Sequence, residues 1–110
     1  MRGWIGVDLD GTLAHYDGWK GIDHVGAPIE PMVSMVRQWL YEGKDVRIFT
    51  ARVSEGVKAL PVIQEFCLKQ FSKILPVTNV KDFGMIVLFD DRCVTVEKNT
   101  GKILLEGWND

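Results

Sequence analysis

Two carboxylates separated by one residue, in Asp8-Leu9-Asp10-Gly11-Thr12, emerge where the apolar run Trp4-Ile5-Gly6-Val7 gives way to a glycine turn. A carboxylate is a weak nucleophile beside water, but held on a divalent cation and aimed at phosphorus it forms an acyl phosphate. Three further pieces follow in order. Val46-Arg47-Ile48-Phe49 runs into Thr50-Ala51-Arg52, whose hydroxyl suits a phosphate oxygen. Lys81 stands just ahead of the next apolar run, and Met85-Ile86-Val87-Leu88-Phe89 ends in Asp90-Asp91-Arg92. Taken alone, Asp8 and Asp10 would also suit a solvated acidic turn or the metal-binding Asp-x-Asp motif of nucleotide-sugar enzymes. The ordered set points to phosphoryl chemistry.

These groups need a sheet to gather them. Open parallel sheets bind ligands beyond the carboxyl ends of their strands, and these runs carry polar chemistry there and almost none earlier. The first strand, about residues 4 to 9, is apolar on both faces and is expected in the middle of the sheet. Residues 13 to 30 are rich in breakers, Gly18, Gly21, Gly26 and Pro28 among them, and read as a loop or flap. Pro31 suits a first helical turn, and Met32, Val33, Met35, Val36, Trp39 and Leu40 keep helical spacing until Gly43. A second helix is expected between Val57 and Phe71, with its regular part starting near Pro61. Ile74 to Val77 reads as a third strand and Met85 to Phe89 as a fourth, returning beside the first. The alternation predicts an α/β fold with a doubly wound, Rossmann-like parallel sheet. Val94 to Glu97 and Lys102 to Leu105, joined through Asn99-Thr100-Gly101, predict a C-terminal β-hairpin that extends one sheet edge.

The chain of 110 residues is expected to form a single domain, 1–110, with one core. Its 46% hydrophobic and 25% charged residues are ordinary for a globular protein. A net charge of −2 gives no electrostatic ground for nonspecific nucleic-acid or membrane binding. No apolar run approaches membrane-spanning length, and Asp8 and Asp10 interrupt any N-terminal signal core. Cys67, expected in a helix, and Cys93, expected in a strand, read as reduced, small buried hydrophobes of a cytoplasmic protein. His15 and His24 lack the companions of a recognisable zinc site.

On these residues the chain resembles the haloacid dehalogenase (HAD) superfamily of phosphohydrolases, whose four motifs are an Asp-x-Asp-x-Thr strand end, a strand-terminal Thr or Ser, a Lys and a paired-acid strand end. Asp8-Leu9-Asp10-Gly11-Thr12, Thr50, Lys81 and Asp90-Asp91 stand in that order across residues 4 to 92. Spacing alone does not divide the roles of Asp8 and Asp10. The resemblance implies Asp8 as nucleophile and Asp10 as the acid that protonates the leaving oxygen and then the base that activates water. It implies Mg²⁺ on Asp8, the Asp10 backbone carbonyl and Asp90, with Asp91 as a further ligand or an orienter. Gly11 would let the backbone pass close to the phosphate, Thr12 would brace that turn, and Thr50 with the Ala51 amide would hold the nonreacting oxygens. Lys81 would neutralise the developing charge. Lys73 competes for that role, but it reads better as the end of a helix.

The resulting expectation is a Mg²⁺-dependent phosphomonoesterase working through phospho-Asp8. The segment before the first helix has room for a flap but not for a folded cap domain, so the site should be open. His15, Tyr16, Trp19 and Lys20 on the flap, with Arg52, are the specificity candidates. Asn79-Val80-Lys81-Asp82 and Asp90-Asp91-Arg92 also resemble the phosphatase part of polynucleotide kinase-phosphatases, which adds a nucleotide or nucleic-acid end to a sugar phosphate as substrate classes. The alternatives are a metal- and phosphate-binding regulatory domain without turnover, and a phosphotransferase of the same fold.

Overall fold

A computed structural model describes residues 3–105. They form an α/β unit: β1 (Trp4–Val7), α1 (Glu30–Tyr41), β2 (Asp45–Phe49), two short 3₁₀ turns (Ala51–Glu55 and Val57–Ala59), α2 (Leu60–Phe71), β3 (Val77–Thr78) and β4 (Met85–Phe89). The four strands make one sheet, in the order β3-β2-β1-β4, and all pairings are parallel. β1 is interior as expected, with Ile5 facing Val46 on one side and Val87 on the other.

Local chemistry fixes the element ends. β1 stops at Val7 because the chain then turns, and the Leu9 carbonyl accepts from the amides of Leu13 and Ala14, each at 2.9 Å. Pro31 lies in the first turn of α1, and the helix closes through Gly43, whose φ of 80° lets its amide reach Leu40 while Lys44 reaches Trp39. The third strand is shorter and later than the expected 74–77. Pro76 has no N–H to give to a ladder, so its carbonyl accepts from Ile48 and regular pairing begins at Val77.

Val7 and Ile48 are fully buried partners in the β1–β2 register, and they join Val33 and Val36 of α1 and Ile63, Phe66 and Cys67 of α2 in one core. The two helices lie side by side, with Arg37 Nε donating to the Gln70 carbonyl at 2.8 Å. Both therefore serve the same face of the sheet, and the described residues do not show the helices on both faces that a doubly wound sheet has. The reason is the return from β3 to β4, which occupies only residues 79–84 and is too short for a helical crossover. Along this link Asp82 Oδ1 accepts from the buried Trp4 indole at 2.8 Å, while Arg47 lies 4.8 Å from the same ring.

Two expectations need correction. The C-terminal hairpin closes with the expected register, Glu97 N to Lys102 O and Leu104 N to Thr95 O at 2.8 Å, but its arms meet in a single bridge, Val96 to Ile103, and do not extend the four-stranded sheet. Its exposed positions, such as Val96 and Leu104, have no sheet face to bury against. Cys93 lies outside any strand and is exposed, whereas Cys67 is buried in α2; both thiols are free. No helix among the described residues is long and apolar enough to cross a membrane.

Candidate functional site

β1 and β4 are neighbours, and their parallel pairing continues past the strand ends with Asp8 N donating to Phe89 O at 2.9 Å. That bond brings the two acidic strand ends together. Asp8, Asp90 and Asp91 each offer a carboxylate oxygen, and these oxygens all lie within 4.8 Å of one another. Thr12 organises them. Its hydroxyl donates to Asp91 Oδ1 at 3.0 Å and accepts from the Asp91 amide at 3.1 Å.

Gly11 makes room for one of these acids. Its φ is 91°, and a Cβ there would stand 2.5 Å from Asp91 Oδ2, so its missing side chain is the space that Asp91 occupies.

The acidic cluster carries an electrostatic cost. Burial, then the charge of Asp90 and a hydrogen bond with Asp91, push the Asp8 carboxyl up from 3.8 to about 7. Three carboxylate oxygens crowded within 4.8 Å form a donor set suited to a hard divalent cation, which takes oxygen ligands and offsets their repulsion. Among the described residues this is the group of His, Cys, Asp and Glu side chains close enough to hold a metal.

A cavity of about 730 Å³ opens beside the cluster. Of the residues singled out in the sequence, Asp8, Asp10, Tyr16, Trp19, Thr50, Ala51, Arg52, Asp90 and Asp91 line it. Gly11, His15, Lys20 and Lys81 do not. Lys20 pairs with Asp17 at 2.9 Å on the loop surface. Lys81 is exposed. Asn79 and Arg92, which the sequence places in the stretches around Lys81 and Asp90-Asp91 without individual site roles, also line the wall. Thr50 is buried, and its hydroxyl caps the following 3₁₀ turn by accepting from Arg52 N at 3.1 Å. The hydroxyl proton remains available to a ligand oxygen.

Asp10 is not part of the acidic cluster. Its carboxylate faces Arg52, which donates from Nε to Oδ2 at 2.8 Å and from Nη2 to Oδ1 at 2.9 Å. Arg52 is 6% exposed and also donates to the carbonyls of Ile22, at 3.3 Å, and His24, at 2.6 Å. Residues 13–29 form no helix or strand of their own, but their base is closed by His15 N to Ala27 O and Ile29 N to Leu13 O, each at 2.7 Å. Arg52 ties the tip of this loop to the site. Its guanidinium lies over the Trp19 ring, 4.9 Å from the centroid. Compared with protein-family models, curated proteins and solved structures, the chain matches none.

Proposed function

We propose that the protein is a Mg²⁺-dependent phosphomonoester hydrolase with a HAD-like fold and a flap in place of a cap. The observation that carries this reading is the gathering of Asp8, Asp90 and Asp91 on one cavity whose wall also holds Asp10 and Thr50. Asp8, Asp90 and the Asp10 carbonyl would hold the cation, with Asp91 oriented by Thr12. When bound, the cation offsets the carboxylate repulsion and polarises a phosphoryl oxygen.

Asp8 attacks phosphorus, so an Asp8 O–P bond forms as the bond to the leaving oxygen breaks. Asp10 gives that oxygen its proton and later takes one from the water that cleaves the acyl phosphate. The Thr50 hydroxyl and the Ala51 amide hold the nonreacting oxygens, Lys81 neutralises developing charge, and Arg92 orients the substrate from the wall. Phosphate release from a panel of nucleotides, sugar phosphates and 3′-phosphorylated oligonucleotides, with Mg²⁺ or EDTA, tests the reading and ranks the substrates.

One observation favours a second reading. Both carboxylate oxygens of Asp10 are engaged by Arg52, whereas a general acid must carry a proton on one of them. A binding domain that captures a cation and a phosphate without turnover needs no such proton. Tight, Mg²⁺-dependent binding of phosphomonoesters with no phosphate release would select it.

A further inference from the structure

We infer that Trp19 is a stacking platform for the leaving group, so that the substrate is a phosphomonoester whose leaving group presents a flat-faced ring; this rests on the phosphohydrolase reading above. Trp19 lines the same cavity as Asp8 and Asp10 and is 55% exposed. An indole on a glycine-rich loop would ordinarily turn inward, since large apolar rings gain most from burial. Here one face is backed by Arg52, which fixes the ring plane and leaves the remainder open.

Arg52 is a brace in this arrangement and not a phosphate clamp. It is buried, and its four hydrogen bonds go to Asp10, Ile22 and His24. A guanidinium has five N–H groups. Little remains for a ligand. What Arg52 supplies instead is a fixed relation between Asp10, which meets the leaving oxygen, and Trp19, which meets what that oxygen carries. Tyr16, 47% exposed, adds a second ring to the wall. A short aliphatic leaving group would leave both rings wet. A nucleobase, or the apolar face of a sugar ring, would cover them.

The test uses the whole chain with Mg²⁺. Values of kcat/KM are measured for a nucleoside monophosphate, a hexose phosphate and glycerol phosphate, in the wild type, Trp19→Ala and Trp19→Phe. The wild type should prefer a ring-bearing substrate to glycerol phosphate. Trp19→Ala should lower that preference by about five- to a hundredfold, mainly through KM, and Trp19→Phe should restore most of it. Loss confined to the nucleoside phosphate identifies a base as the stacked ring, and loss confined to the hexose phosphate identifies a sugar. An unchanged preference in Trp19→Ala overturns the platform.

If no substrate is turned over, the hydrolase reading fails separately, and calorimetry with the nucleoside monophosphate and the hexose phosphate decides about Trp19. Binding of either that weakens in Trp19→Ala supports the platform. Equal binding by the two proteins, or none by either, rejects it.

Discussion

Arg52 and Asp10 meet through two parallel hydrogen bonds, at 2.8 and 2.9 Å, and the same guanidinium holds the carbonyls of Ile22 and His24. The acid at the end of β1 and the loop above it are thus held by one side chain. Lysine has neither the fork nor the number of donors to replace it. Arg52→Lys keeps a charge opposite Asp10 but loses the paired contact, and it should cost roughly 1.5–3 kcal/mol in urea unfolding, as losing a hydrogen bond to a charged group does. It should also speed hydrogen exchange in residues 20–26. Unchanged stability with unchanged loop protection would contradict the brace.

Asp8 links the site to folding. Its carboxyl holds a proton up to about 7 in the folded protein, against 3.8 as the ordinary value, so between these the folded state binds more protons than the unfolded chain. Stability of the metal-free protein should therefore fall as pH rises through that window. Thermal unfolding at several pH values checks this. The fall should flatten in Asp8→Asn, which cannot ionise, and in the presence of Mg²⁺, which favours the ionised form. A rise in stability across the window that Asp8→Asn leaves in place would count against the crowded-acid description.

Gly11 makes room for Asp91. In Gly11→Ala the positive φ costs about 1–2 kcal/mol, and the new methyl displaces a carboxylate of the acidic cluster. Mg²⁺ affinity, measured by calorimetry, should drop by about 10- to 100-fold, the range seen when groups that orient a metal ligand are lost. Undiminished affinity would remove Asp91 from the cation site.

The roles proposed for Lys81 and Arg92 predict different kinetics. Lys81→Ala should lower kcat by about 10²- to 10³-fold, as loss of a group stabilising transition-state charge does. Arg92→Ala, on the cavity wall, should act chiefly on KM. The opposite split would exchange the two roles.

Elements governed by neighbouring residues were readable in the sequence. The apolar run 85–89 became β4 with its expected bounds, and the helical spacing of Val33, Val36 and Trp39 became α1. The strand expected at 74–77 moved because Pro76 withholds a donor, a local fact whose consequence depends on which neighbour it meets. Long-range partners were not readable. Arg52 follows a strand end like any surface ion-pair residue, and its partners Asp10, His24 and Ile22 lie 42, 28 and 30 residues away. Asp82 stands next to Lys81 in the sequence, yet its carboxylate holds Trp4, 78 residues distant, at the other end of β1. Asp8, Asp90 and Asp91 were legible because strand ends of one parallel sheet converge whatever the loops do.

The central claim is that Asp8 is the nucleophile of a metal-dependent phosphatase. The most direct measurement is phosphate release by the wild type and Asp8→Asn, at matched folded concentration, with Mg²⁺ and with EDTA. Release is expected from the wild type with Mg²⁺ alone, and none above background from Asp8→Asn. Equal release from the two proteins, or release that EDTA leaves untouched, would contradict the claim.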